Sequence, residues 1–393
     1  MDAARTRSNS QAAQTGQPLT ARRGLRQASW ALLAGLTLTA AVAALPNAAS
    51  SPRTGSQESV DFPLYDVERV VDGDTIHIRK EGERAKLRLL SVDTEEKLTG
   101  RPNVSPTKPE TVFGEASAQW AKAFFDDLAE EGRPAQVGLR FPDGVERNDV
   151  YGRLLCHVLL PDGSDFNLQL VREGWSPYFN KYGNSRIAHG EFVEAQRLAR
   201  AEQLGIWNPK TNEPTESEAP SAKRPYAALL PWWDARAEAI ERFRERHAKN
   251  PIQYVDAEDP ENLELAAYAV EAGGRVEVFG SIFRVFDEKD GTTTLLMRTG
   301  EPDRALRVSI PAGNREELEA LRLTQRASEE FLQNYLAIAG EVVRREDGSF
   351  RMELRNLEQL RVAGPEPTFD AEGLQQLRNL GIDPSALPTG SRR

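Results

Sequence analysis

The stretch Val70–Ile78, VVDGDTIHI, interrupts an alternating, β-branched run with two aspartates that flank a glycine. Aspartate is disfavoured inside strands, so Asp72 and Asp74 need an explanation at this position. Asp-Gly is among the commonest two-residue hairpin turns, which would place the pair between two strands. The other explanation is that the two carboxylates bind a ligand. The sequence further along bears on both.

Periodicity outward from this stretch predicts an α+β domain. Alternating apolar and polar side chains indicate strands, which are expected within residues 65–94 (three runs), 135–141 and 153–167. Helical periodicity indicates three helices, over residues 114–131, 167–175 and 188–205. The chain is long enough, at 393 residues, for a second domain beyond these elements.

Composition changes along the chain predict where that second domain begins. A polar, proline-containing stretch without apolar periodicity is typical of a linker. Short strands with one helix after the third are typical of a small OB-type barrel. We therefore expect a first domain at 61–208, a linker at 209–225, a helical segment at 226–273, an OB-like domain at 274–364 and a tail at 365–393.

Charge and cysteine content exclude several classes of site. The net charge is −10, and such a chain does not attract polyanions by bulk charge. Any nucleic-acid binding must therefore depend on local cations or a bound metal. Cys156 is the only cysteine, which excludes an intramolecular disulfide and cysteine-based zinc or redox pairs.

The N-terminal 1–60 segment has the layout of a secretory signal followed by a spacer. Basic residues 22–26 precede an apolar run from Ala28 to Leu45, and small residues follow it. This predicts a signal peptide and a secreted or periplasmic protein. The length of the apolar run also suits a retained membrane anchor, which would tether the protein to a membrane.

Four charged residues downstream of the aspartates suit phosphodiester chemistry. The segment RLLSVDTEE supplies Arg88, Asp93 and Glu96, and DVYGRLL supplies Arg153. Carboxylate and carbonyl oxygens are the ligands of hard cations such as Ca²⁺. Arginine offers planar, permanently charged donors to a phosphoryl group, and a remaining carboxylate can deprotonate water. Their ordered combination favours the ligand-binding explanation.

Residues 64–208 resemble the staphylococcal nuclease (thermonuclease) family. The resemblance rests on six motifs in the family's order, at Asp72–Thr75, Arg88–Glu96, Gly114–Ala116, Asp149–Arg153, Asn167–Gly174 and Leu204–Trp207. It implies a five-stranded OB-type β-barrel with three helices. It also implies a Ca²⁺-dependent endonuclease whose substrate is DNA, RNA or both, cut with little sequence specificity to leave 3′-phosphate ends.

The resemblance also implies roles for individual residues. Asp74, Asp93 and the carbonyl of Thr94 would bind Ca²⁺, with Asp72 as an accessory aspartate near the ion. The remaining roles are Glu96 as the general base, Arg88 and Arg153 as phosphate ligands, and Tyr151 and Tyr182 as contacts to phosphate or base. No obligate protein partner is implied.

One departure from the family pattern concerns the catalytic loop. Glu95 stands where the family usually has proline, which adds a negative charge beside Glu96 and removes a restraint on the backbone. The alternative function is a catalytically quiet nuclease-fold module that only binds nucleic acid or protein. Retention of the full Asp, Glu and Arg set favours the enzyme.

Overall fold

The structure, a computed structural model, describes residues 62–99, 108–149, 151–213, 223–271, 273–325 and 334–363. The predicted signal segment at 1–60, most of the expected linker and the expected tail from 365 lie outside the described residues. Among the helices that are described, none is both long and apolar enough to cross a membrane.

The first part of the chain forms a closed five-stranded barrel with three helices, as predicted. Its strands are β1 (Tyr65–Asp72), β2 (Thr75–Lys80), β3 (Glu83–Leu89), β4 (Gln136–Arg140) and β5 (Leu154–Leu159), and its helices are α1 (Val112–Leu128), α2 (Phe166–Arg172) and α3 (His189–Ala201). The strand order around the barrel is β1-β2-β3-β5-β4, and β3 runs parallel to β5.

Alternation in β2 explains why the barrel closes around an apolar core. Ile76 and Ile78 are fully buried on the inner face of the strand, whereas Arg79, which follows Ile78, is exposed. Asp72 pairs with Thr75, so Gly73 and Asp74 form the two-residue turn between β1 and β2. The stretch Val70–Ile78 therefore contains a hairpin turn.

The second part of the chain is rich in strands, also as predicted. Its helices are α4 (Tyr226–Lys249), α5 (Pro260–Glu271) and α6 (Arg315–Ala320). Its strands are β6 (Tyr254–Asp256), β7 (Val276–Asp287), β8 (Thr293–Met297), β9 (Leu306–Ile310), β10 (Tyr335–Gly340), β11 (Val343–Arg344), β12 (Phe350–Glu353) and β13 (Leu360–Val362).

These eight strands form one sheet that repeats the connectivity of the first barrel. The order is β11-β12-β9-β8-β7-β10-β13, with β6 added beside β7. As in an OB-type fold, three consecutive antiparallel strands (β7, β8 and β9) are extended by a parallel strand, β12, on β9, and β10 pairs with β7. Helix α6 follows β9, the third strand of the repeat.

Helix α4 packs against both parts of the chain. Near its start, Leu229, Trp232 and Trp233 are buried in a cluster with Phe179 of the barrel. Near its end, Ile240 and Phe243 pack with Phe279 and Tyr335 of the second sheet. Burying large aromatic side chains contributes several kcal/mol in all, on the order of 1.5–3 kcal/mol for each. Helix α4 therefore links the two β structures through two apolar clusters, one near each end.

Candidate active site

The β1–β2 turn and the loop after β3 are held together by the carboxylate of Asp74. Its Oδ2 accepts a hydrogen bond from the Thr94 backbone N–H at 3.1 Å and lies 3.0 Å from Nη1 of Arg88. Thr75 pairs with Arg88 across β2 and β3, which brings the turn beside the arginine. Two of the predicted motifs are thus in direct contact.

Arg88 connects the two predicted carboxylate ligands of the metal. While Nη1 contacts Asp74, Nη2 lies 2.8 Å from Oδ1 of Asp93. All three side chains are almost fully buried. A planar guanidinium can donate to two carboxylates at once, so Arg88 fixes the separation between Asp74 and Asp93.

Lys108 joins this network to Glu96. Its Nζ lies 2.9 Å from Oδ1 of Asp93 and 2.8 Å from Oε1 of Glu96. Burial alone would lower the pKa of Lys108, but the charges of Asp93, Asp74 and Glu96 raise it. The side chain of Glu96 remains 39% exposed, so it can reach solvent and Lys108 together.

Arg224 is a third cation on Asp93, and it comes from the end of the segment expected to be a linker. Its Nη2 contacts Oδ2 of Asp93 at 2.5 Å, and its Nη1 donates to the Asp93 carbonyl at 3.0 Å. The guanidinium lies 5.3 Å from the ring centre of Trp233 and 5.5 Å from that of Tyr226. Cation–π contacts of this kind stabilise a buried guanidinium.

The pKa values of Asp93 and Asp72 in this cluster are shifted in opposite directions. Burial would raise the pKa of Asp93, but Lys108, Arg224 and Arg88 hold it well below its usual value. At Asp72, burial and the neighbouring charge of Asp74 raise the pKa to about 7. Negative charge is therefore neutralised at Asp93, whereas at Asp72 burial and the nearby charge of Asp74 disfavour the ionised form.

The chemistry of this donor set fits a hard divalent cation. Crowded, buried carboxylates at Asp72 and Asp74 favour a bound positive charge, and carboxylate oxygens are what Ca²⁺ prefers. Within the described ranges, no group of three or more His, Cys, Asp or Glu side chains is arranged to hold a metal. Such a site would need the backbone carbonyl of Thr94 and would share Asp93 with its three cations.

Arg153 also lies close to the turn between β1 and β2. Its Nε and Nη2 contact Oδ2 of Asp149 at 2.8 and 2.7 Å, and its Nη1 lies 3.5 Å from Oγ1 of Thr75. Asp149 also accepts from the backbone N–H of Arg153 and of Tyr151. The Asp149–Arg153 motif therefore orients one guanidinium beside the turn.

The two predicted tyrosines differ in their surroundings. Tyr151 is 75% exposed, with Arg153 stacked 5.4 Å from its ring centre. Tyr182 is only partly exposed, and its ring centre lies 5.5 Å from Nζ of Lys181 and 5.0 Å from Cζ of Arg298, which directly follows β8. Burial raises the pKa of Tyr182 against the opposing charges of Arg88 and Arg298. Tyr182 therefore belongs to the surroundings of Arg88.

Glu95 and Glu96 face different environments. Oε2 of Glu95 accepts from Oγ1 of Thr111 at 2.5 Å and from Nδ2 of Asn212 at 2.8 Å, and the residue is 2% exposed. Thr111 is also the N-cap of α1. The extra glutamate thus ties the loop to the start of a helix, and only Glu96 joins the network of Lys108.

Close packing against the loop after β3 explains why the Gly114–Ala116 motif begins with glycine. A Cβ at this position would lie 2.1 Å from the carbonyl oxygen of Glu96 and 2.8 Å from that of Glu95. Any larger residue would displace the backbone of the loop that carries Glu95 and Glu96, because real Cβ atoms do not approach a carbonyl so closely. Glycine at the start of α1 therefore allows the helix to support this loop directly.

Lys108 and Arg224 are functional candidates that the sequence pattern did not single out. Lys108 lies in a proline-rich segment and Arg224 in a polar one, and neither belongs to a motif. The only sequence signal near Arg224 is the aromatic group Tyr226, Trp232 and Trp233 that follows it. Their contacts with Asp93 span 15 and 131 residues of sequence.

Arg224→Met is expected to lower the free energy of unfolding by about 1–3 kcal/mol, because it removes a charged hydrogen bond from buried Asp93. The loss stays below that of an isolated buried pair because Arg88 and Lys108 still contact Asp93. Denaturant unfolding of the wild-type and variant proteins measures this change in the free energy of unfolding. The matched control is Lys223→Met, whose side chain is more exposed and pairs with Glu213 at 3.6 Å. Equal effects of the two changes would contradict the role given to Arg224.

Comparison with known proteins agrees with this geometry. The family described as "Staphylococcal nuclease homologue" matches residues 86–209. Over 161 residues the chain is 35% identical to a thermonuclease of Staphylococcus intermedius, covering 40% of this chain and 83% of that protein. A thermonuclease of Staphylococcus hyicus is 32% identical over 146 residues, which cover 37% of this chain and 75% of that protein.

A longer relative is similar over a stretch of comparable length. Endonuclease YhcR of Bacillus subtilis is 33% identical over 144 residues, or 36% of this chain. The match spans only 11% of the length of that protein. The family match at residues 86–209 concerns the first barrel and its helices.

Proposed function

The chain belongs to the staphylococcal nuclease family, and we propose that it is an exported, Ca²⁺-dependent endonuclease that hydrolyses DNA and RNA with little sequence specificity. The observation that carries the proposal is the convergence of Asp74, Arg88, Asp93 and Glu96 in one network of ion pairs and hydrogen bonds. Arg153 reaches the same turn at Thr75.

In the proposed mechanism, these side chains have separate roles in metal binding, proton transfer and phosphate binding. Asp74, Asp93 and the Thr94 carbonyl would hold Ca²⁺, whose charge offsets that of the phosphate, with Asp72 beside it. Glu96 takes a proton from water, which then attacks phosphorus. Arg88 and Arg153 donate hydrogen bonds to the phosphoryl oxygens, where negative charge grows in the transition state.

Arg153 is assigned to the leaving group. The resemblance to the family implies that this arginine lies on the leaving-group side of the phosphate. The 5′ oxygen departs and takes up a proton from solvent, so that the other product keeps a 3′-phosphate end. This assignment is supported by the way Asp149 orients the Arg153 guanidinium toward Thr75.

Export is proposed from residues 1–60 alone. A basic stretch, an apolar run at 28–45 and small residues after it support a secretory signal. Retention of the apolar run would instead leave the enzyme tethered to a membrane. Sequencing the N-terminus of the protein isolated from its native compartment distinguishes the two, because a start beyond residue 45 requires cleavage.

Digestion of plasmid DNA and of RNA by the full chain tests the proposed function. We expect activity with Ca²⁺, a lower rate when Mg²⁺ is the only divalent ion, and loss of activity in excess chelator. Mg²⁺ demands a tighter octahedral geometry than this sparse donor set offers, and it dehydrates reluctantly. Binding of nucleic acid without cleavage would support the quiet module instead, and full activity in chelator would exclude this site as the catalyst.

A further inference from the structure

Two cations flank the ring of Tyr182, and they come from different parts of the chain. Nζ of Lys181 lies 5.5 Å from the ring centre, and Cζ of Arg298 lies 5.0 Å from it. Lys181 and Tyr182 belong to the loop after α2 of the first barrel, whereas Arg298 directly follows β8 of the second sheet. The group therefore lies where the two β structures meet.

Contacts with neutral groups hold the guanidinium of Arg298 and the backbone of Lys181. Nε of Arg298 donates to Oγ of Ser281 at 3.1 Å, and the Arg298 backbone N–H donates to the Ser281 carbonyl. The Lys181 carbonyl accepts from Oη of Tyr335 at 3.3 Å. Neither Lys181 nor Arg298 forms an ion pair with any carboxylate in the part of the chain that the structure describes.

Positive charge is therefore concentrated beside the predicted catalytic arginine. Burial and the charges of Arg88 and Arg298 together lower the pKa of Lys181 to about 8, against the opposing charge of Asp93. The same two arginines act on Tyr182. A cluster of cations that is partly buried and not neutralised by protein carboxylates is stabilised when an anion binds.

The anion most consistent with the surroundings is a nucleic-acid phosphate. The net charge of the chain is −10, so a polyanionic substrate depends on local cations for its affinity. Lys181 and Arg298 supply two such cations, and both lie beside the aromatic ring of Tyr182.

We propose that Lys181, Tyr182 and Arg298 form a second phosphate subsite, which binds a backbone phosphate flanking the scissile one. The proposal rests on the proposed nuclease function and extends it, because Arg298 makes the second β structure part of the substrate-binding surface. A substrate with a single phosphate does not use this subsite, whereas a longer strand does.

Binding of a fluorescent oligothymidylate of about ten nucleotides to the full chain tests the proposal. Measuring anisotropy in a Glu96→Gln background with Ca²⁺ present avoids cleavage. We expect Arg298→Gln and Lys181→Gln each to weaken binding about tenfold, the value of one charged hydrogen bond. Each should also reduce the salt dependence, by about 0.7 in the slope of log K against log salt.

The matched control is Arg355→Gln, which removes the same charge from a side chain that is 81% exposed in the second part of the chain. Arg298→Lys keeps the charge and should recover part of the affinity. If thermal unfolding shows that Arg298→Gln does not fold, the affinity of the Lys181→Gln variant is the test of the proposal. Binding equal to that of Arg355→Gln would overturn the proposal.

A cleavage assay separates failure of the subsite from failure of the proposed function. With Glu96 intact, Arg298→Gln should cleave a thymidine dinucleotide at the wild-type rate and the longer oligonucleotide with a lower kcat/KM. Equal losses on both substrates would place Arg298 outside a flanking subsite. No cleavage of either substrate by the wild-type protein would instead refute the nuclease function.

Discussion

Glu96→Gln is expected to lower turnover by about 10²-fold or more, since the amide cannot accept a proton from the attacking water. Glu96 is partly exposed and contacts Lys108, which also contacts Asp93. Glutamine has the same shape, so the loop should keep its position. Ca²⁺ binding and nucleic-acid binding should persist, and both are measured directly alongside single-turnover rates.

Glu95→Gln is the matched control for this change, because it alters the same group one residue away. Glu95 is buried against Thr111 and Asn212, on the side of the loop that faces α1. We expect little change in turnover and a small loss of stability from the weaker hydrogen bonds. A large loss of turnover in Glu95→Gln with normal turnover in Glu96→Gln would show that the base is assigned to the wrong residue.

Arg88→Lys is expected to lower turnover by about 10²-fold or more, comparable to the loss of one preorganised donor to a developing oxyanion. One guanidinium contacts Asp74 and Asp93 through different nitrogens, at 3.0 and 2.8 Å. A lysine ammonium keeps the charge but lacks the planar pair of donors. The carboxylates that would hold the metal should therefore lose their fixed separation.

Arg84→Lys provides the control for Arg88→Lys on the same strand, β3. Arg84 is 59% exposed and pairs with Glu68 at 2.7 Å, so its replacement by lysine should leave turnover unchanged. Initial rates on DNA and Ca²⁺ affinity should both be measured for the two variants. Near-normal turnover and Ca²⁺ affinity in Arg88→Lys would limit Arg88 to a structural role.

Local sequence signals predicted the strands and helices of the first barrel, and the resemblance to the family implied its closed five-stranded form. The turn at Asp72–Thr75, the helical periodicity from Gly114 and the alternation in β2 each depend on neighbours in sequence. The N-cap at Thr111, three residues before the predicted start of the helix, was not predicted. Strand-like runs with one helix after the third likewise predicted the second β-rich part, where β12 lies parallel to β9.

Contacts between distant segments could not be predicted in the same way. Arg224 reaches Asp93 across 131 residues of sequence, and its position depends on how α4 packs against Phe179. Arg298 lies beside Tyr182 because the second sheet packs near the loop after α2. A single arginine in a polar or strand-like segment has no periodicity that would indicate such a contact.

Cleavage of a DNA oligonucleotide in ¹⁸O-labelled water tests the central claim most directly. The claim is that water, deprotonated at Glu96, attacks phosphorus and the 5′ oxygen departs. Mass spectrometry of the products made by the full chain with Ca²⁺ should then find one ¹⁸O atom in a 3′-phosphate end, formed about 10²-fold more slowly by Glu96→Gln. Uncut DNA, or cut ends without the label, would contradict the account.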